Sequence, residues 1–186
     1  MTENPPFGPA RAAPPDGMRE VERLLAYEEI RQLAARYALA VTRTDLDALV
    51  ELYVDDVRAT RSERGREALK RVFREHMTER VSVLNIGTHV INLVDADHAA
   101  GTVLCVAEMG DATRWARQLI AYQDTYERRD GTWYFAGRDH QLFYGVETAE
   151  RPLDQPPADW PAHQTGRGSL PEAWPSWRRF WGVEGT

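Results

Sequence analysis

A single cysteine, Cys105, is the only thiol in this 186-residue chain. It excludes an intrachain disulfide and any metal cluster built on cysteine. Its setting in the apolar run Val103-Leu104-Cys105-Val106 reads as a buried structural thiol rather than a nucleophile. Long hydrophobic runs are missing as well. No stretch approaches the roughly 18 apolar residues of a membrane span, and the N-terminus lacks the apolar core of a secretory signal, so the chain reads as cytoplasmic. Blocks of one charge sign are also absent. The net charge is -6, spread over intermixed acids and bases, which argues against nucleic acid or an anionic membrane as partner. Small molecules or proteins remain.

With 42% hydrophobic residues, the chain can bury one full core and no second domain of ordinary size. Residues 1–18 are rich in Pro, Gly and Ala and read as a flexible lead-in. Helical periodicity then begins: Ile30, Leu33, Ala34, Tyr37, Ala38 and Val41 recur at one-face spacing, with no Pro from Val21 to Arg43. Thr44-Asp45-Leu46-Asp47 has the form of a capping box and opens a short second helix. Ala68, Leu69, Val72, Phe73 and Met77 mark a third, from Glu67 to Met77. From Val81 the period becomes strand-like, over Val81–Val94, Ala99–Glu108, Gln118–Glu127 and Thr132–Val146. Helices followed by a strand meander predict an α+β domain, residues 19–150, with three N-terminal helices on a curved, mostly antiparallel sheet.

The tail, residues 151–186, carries Pro at 152, 156, 157, 161, 171 and 175 and Trp at 160, 174, 177 and 181. That mixture opposes regular structure yet brings much apolar area, so the tail is expected to pack on its own domain or on a neighbouring subunit.

The sharpest local signal is YERRDGTWYFAG, Tyr126 to Gly137, where two β-rich runs meet at an Asp-Gly pair of the hairpin type. Beyond it, period-2 geometry predicts Arg138, His140 and Tyr144 on one face, while Asp139 has the opposite parity. Asp124 is the carboxylate best left open for a role beside them, since Asp45 reads as a helix cap. Glu108, His76, His98 and His163 read as solvated.

Glu29-Ile30-Arg31-Gln32-Leu33, the run Asp47-Ala48-Leu49 into Tyr53-Val54-Asp55-Asp56-Val57, the strand around His89, and YERRDGTWYF resemble the SnoaL-like branch of the NTF2-like superfamily. That group includes ketosteroid isomerase, scytalone dehydratase, polyketide cyclases and hexachlorocyclohexane dehydrochlorinase, and the likeness spans about Tyr27 to Gly145. It implies a cone-shaped α+β fold. It also implies a pocket His on the first long strand, matched by His89, and an Arg after the WYF strand, matched by Arg138. The Asp that orients the His in dehydratase and dehydrochlorinase members falls on Thr42, a departure that removes the orienting carboxylate.

The resemblance implies a cofactor-independent, metal-free lyase or isomerase for a hydrophobic small molecule. His89 would be the base, Arg138 the charge stabiliser, Thr42 or Asp124 the support, and Tyr37, Tyr122, His140 and Tyr144 substrate contacts. Because this fold also hosts non-catalytic modules, a binding or assembly role is the alternative, motivated by Thr42. An accessory subunit like the small one of ring-hydroxylating dioxygenases is a third. The sheet's open face and the Trp-rich tail predict a homo-oligomer, dimer or trimer.

Overall fold

The computed structural model describes residues 14–183. Most of the expected lead-in lies outside the described residues; of its described end, Met18 is buried. Helix α1 (Glu20–Thr42) opens where the Arg19 backbone N–H donates to the Glu22 carboxylate, 2.8 Å, and buries the stripe Ile30, Leu33, Ala34, Tyr37, Ala38 and Val41. Beyond its C-cap, Arg43, the chain turns at Thr44, which adopts the left-handed region at φ 53°. Asp45 then caps α2 (Leu46–Glu51) by accepting from the Ala48 N–H at 3.1 Å, so the cap is Asp45 rather than Thr44. Helix α3 (Arg66–His76) follows, with Ala68 and Leu69 turned inward.

Four strands complete the domain: β1 (Val81–Leu93), β2 (His98–Gly110), β3 (Trp115–Arg129) and β4 (Thr132–Glu147), an antiparallel meander in sequence order. The β3–β4 turn is the expected two-residue Asp130-Gly131, with φ of 49° and 82°; both central positions need positive φ, which Asp tolerates and Gly adopts freely. After α2 the chain runs alongside β4. Val54 donates to the Phe135 carbonyl (3.0 Å) and the Phe135 N–H to Leu52 (2.9 Å), locking the helical layer to the sheet.

Three bulges decide which residues face the helices, because each inserted residue reverses the alternation beyond it. In β1 the register passes from Ile86↔Cys105 to His89↔Val103, so His89 shares the inner face with Ile86 as well as with buried Ile91. In β4 an extra Ala136 between Tyr126↔Phe135 and Thr125↔Gly137 brings Trp133 and Phe135 onto the same face as Arg138 and His140. A further extra residue, Phe143, lies between Ile120↔Leu142 and Leu119↔Tyr144. It moves Tyr144 to the opposite face, which corrects the simple alternation that joined Tyr144 to Arg138 and His140.

The inner face is packed by Ile30, Leu49, Tyr53, Val103, Ile120 and Phe135, and Cys105 is buried among them, as expected of a structural thiol. The tail is more ordered than its composition predicts. Pro175 sits in the first turn of α4 (Pro175–Trp181), where its missing N–H has no helical partner to lose. This helix docks on its own domain. Trp177 is 2% exposed and donates through Nε1 to the Arg80 carbonyl at 2.7 Å, while the Arg80 guanidinium lies over the rings of Trp177 and Trp181. Trp160, by contrast, is 71% exposed. No helix among the described residues is long and apolar enough to cross a membrane.

Candidate functional site

The inner face brings His89, Asp124 and Arg138 into one cluster, joined by Tyr126. Asp124 and Tyr126 are two residues apart on β3 and so point the same way; Asp124 is directly opposite Arg138 across the β3–β4 ladder. Arg138 grips the carboxylate bidentately, Nε to Oδ1 and Nη2 to Oδ2, each 2.7 Å. The Tyr126 hydroxyl adds a third donor to Oδ2 at 2.8 Å. On its other side the same hydroxyl lies 3.1 Å from His89 Nε2.

This pair is desolvated: the side chains of Arg138 and Asp124 are 4% and 0% exposed. Arg138 lies 4.2 Å from the ring centres of Tyr37 and Tyr122 and 4.4 Å from that of Phe135, so its charge is held by one carboxylate and three aromatic faces. Burial pulls the guanidinium pKa down, but the bonds and charge of Asp124 outweigh it and raise the value. One donor remains unmatched. Arg138 Nη1 is buried without a hydrogen-bond partner among the described residues.

Burial also dominates the two imidazoles. It lowers the His89 pKa to about 4, against an opposing pull from Asp124 and with the grain of Arg138 and Arg31, so the ring is neutral at pH 7. His140 is lowered by burial too, countered by Asp139, and its ring tilts against Tyr122 at 5.6 Å. The hydroxyls of Tyr37, Tyr122 and Tyr126 are raised, first of all by burial, and stay protonated.

Of the residues the sequence points to, His89, Asp124, Arg138, Tyr37, Tyr122 and His140 gather around this cluster. Two do not. Thr42 donates to the Ala38 carbonyl at 2.8 Å and receives the Leu84 N–H at 3.4 Å, so its hydroxyl is spent on backbone and not on His89. Tyr144 is half exposed on the other face. Tyr126 is the residue the sequence reading passed over, although its spacing from Asp124 was the signal.

A cavity of about 650 Å³ lies elsewhere, between α1, α2 and the β3–β4 turn, lined by Glu29, Arg36, Glu51, Trp133 and Tyr134 among others. None of the clustered residues reaches it. No three His, Cys, Asp or Glu side chains among the described residues are grouped to hold a metal ion.

The helical layer on a curved antiparallel meander is the α+β cone of the NTF2-like fold, and residues 22–139 match the SnoaL-like domain. The chain belongs to the SnoaL-like family. Solved structures share this fold. A scytalone dehydratase-like protein from Novosphingobium aromaticivorans is 19% identical (TM-score 0.61), the match covering 72% of this chain and 94% of that one. Hexachlorocyclohexane dehydrochlorinase LinA-type3 from Novosphingobium barchaimii is 20% identical (TM-score 0.61), with 70% and 95% covered. A protein of unknown function from Mycobacterium tuberculosis is 24% identical (TM-score 0.59), with 68% and 77% covered. No curated protein matches the chain in sequence.

Proposed function

We propose that this protein is a cytoplasmic, cofactor-independent lyase or isomerase for a hydrophobic small molecule, with His89 as the general base. The observation that carries the reading is the linkage of His89, through Tyr126, to the buried Asp124–Arg138 pair on the inner face of the sheet. A neutral imidazole can take a proton from a carbon beside a leaving group. As the C–H electrons form the new double bond, the bond to hydroxide or halide breaks; in an isomerase the proton returns at a second carbon instead. Arg138 Nη1, the buried donor without an acceptor, supports its role in stabilising the developing negative charge; Tyr37 and Tyr122 frame that position, and His140 lies against Tyr122.

The test is turnover on a panel made up of scytalone, hexachlorocyclohexane and a β,γ-unsaturated ketosteroid, by wild type and His89→Ala. Conversion of one compound, lost about a hundred- to ten-thousand-fold in the variant, is the expected result, because that is the contribution of a positioned acid or base. Equal rates would remove His89 from the chemistry.

A second reading, a non-catalytic binding or assembly module, is favoured by two features: Arg138 is already neutralised by Asp124, and the cavity described above lies away from His89. No conversion across the panel, with binding of the same compounds, would support it. In either case we propose a homo-oligomer, dimer or trimer. The β4 segment with Leu142, Phe143, Tyr144 and Val146 exposes an apolar edge that a second copy would cover. Sedimentation at the mass of one chain would remove that part.

A further inference from the structure

We infer that Tyr126 is a positioning residue that carries the influence of Asp124 to His89, holding the imidazole as its Nε2–H tautomer and leaving Nδ1 as the basic nitrogen. The Asp124 carboxylate is paired with Arg138 and can only accept. Tyr126 has one hydroxyl proton to give, and two neighbours compete for it: Asp124 Oδ2 at 2.8 Å and His89 Nε2 at 3.1 Å. A bond to a carboxylate is charge-assisted and about twice as strong as a neutral one, so the proton is given to Asp124. The phenol oxygen then has only lone pairs for His89. Nε2 must therefore donate. A neutral imidazole carries one N–H, which leaves the lone pair on Nδ1, and Nδ1 has no hydrogen-bond partner among the described residues.

A separate feature makes room for the Tyr126 ring. Residue 101 on β2 stands between His89's neighbour Val103 and the ladder partner of Tyr126, Ala99, and it is glycine. A Cβ there would come within 3.1 Å of Tyr126 Cε2 and 3.3 Å of its hydroxyl, and 2.8 Å from the Val90 carbonyl. The phenol lies over the place a side chain would take, so glycine at 101 lets the hydroxyl reach both His89 and Asp124. The missing carboxylate at Thr42 is thus replaced from the sheet instead of the helix, at one remove. When Nδ1 takes a proton, the imidazolium keeps its Nε2–H bond to Tyr126, and the Asp124 charge lies one hydroxyl further on; no proton leaves Tyr126, whose pKa burial holds far above neutral.

The test is nitrogen-15 NMR of histidine-labelled protein without substrate. Wild-type His89 is expected as the Nε2–H tautomer, with a slowly exchanging Hε2. In Tyr126→Phe that proton should exchange with water at least about tenfold faster, the factor set by loss of one hydrogen bond. An Nδ1–H tautomer in wild type, or unchanged Hε2 exchange in Tyr126→Phe, overturns the assignment. The wild-type tautomer is informative even if the variant folds poorly.

That Nδ1 serves as the catalytic base rests on the lyase or isomerase reading, and the two fail separately. Turnover by a wild-type enzyme with Nδ1–H overturns the relay alone. With both intact, Tyr126→Phe lowers kcat about tenfold at unchanged KM, because Tyr126 orients the base and does not touch the substrate.

Discussion

Replacing Asp124 by Ala strands a guanidinium in the protein interior, and the cost of that can be worked out from the structure. The pair is fully desolvated, with side-chain exposures of 0% and 4%, and the carboxylate receives three donors at 2.7–2.8 Å. Deleting one partner of such a pair typically destabilises by about 3–5 kcal/mol, because the remaining charge is uncompensated. Set against a total stability of about 5–15 kcal/mol, that is at least about a fifth of the fold's margin. For a chain of this size it corresponds to a fall in Tm of about 6–20 °C. Chemical denaturation of wild type and Asp124→Ala, with slopes compared, measures it directly. Two comparisons sharpen the result. Asp47→Ala removes the exposed Asp47–Lys70 pair and should cost under about 1 kcal/mol. Asp124→Leu combined with Arg138→Met removes both charges and should recover most of the loss. A loss below about 1 kcal/mol in Asp124→Ala would refute the reasoning, since it would mean that Arg138 is not held by this carboxylate.

Three further outcomes follow from the same geometry. Thr42→Val should cost about 1 kcal/mol, for its bonds to Ala38 and Leu84, and leave the His89 titration followed by NMR unmoved; a shifted His89 would restore Thr42 to the site. Trp177→Ala should destabilise by about 3–5 kcal/mol in thermal or denaturant unfolding, because the buried ring anchors the tail and its Nε1 satisfies the Arg80 carbonyl; a neutral effect would mean the tail does not dock there. His89 should make stability pH-dependent on the acid side. Its folded pKa of about 4 lies below the usual 6.5, so the unfolded chain takes up the proton first, and stability falls as pH drops from about 6.5 towards 4, with no contribution above that range. His89→Gln should flatten that part of the stability curve, and an unchanged slope would count against a desolvated His89.

The elements were legible because each has a local cause. Apolar spacing along α1, the Asp45 cap and the Asp130-Gly131 turn are written in neighbouring residues, and the structure moves the predicted element ends by only a few positions. Arg138 was readable from strand alternation and His89 from the family resemblance, with Asp124 the carboxylate left open beside them. What period-2 alternation does not carry is a bulge. The extra Phe143 that turns Tyr144 away, and the extra Ala136 that aligns Phe135 with Arg138, arise from pairing with β3 and leave no periodic mark in β4. Helix α4 was hidden by the prolines at and before its start, Pro175 and Pro171, and is only seven residues long. Tyr126 was passed over because its role depends on two partners, His89 and Asp124, that are 37 and 2 residues away.

Proton transfer by a desolvated His89 is tested most directly by the pH dependence of kcat/KM on the compound turned over. kcat/KM is expected to rise through about pH 4 as the His89 imidazole loses its proton, and to be level through neutrality. That rise should vanish, with most of the rate, in His89→Ala. The same acid limb at undiminished rate in His89→Ala would contradict the account.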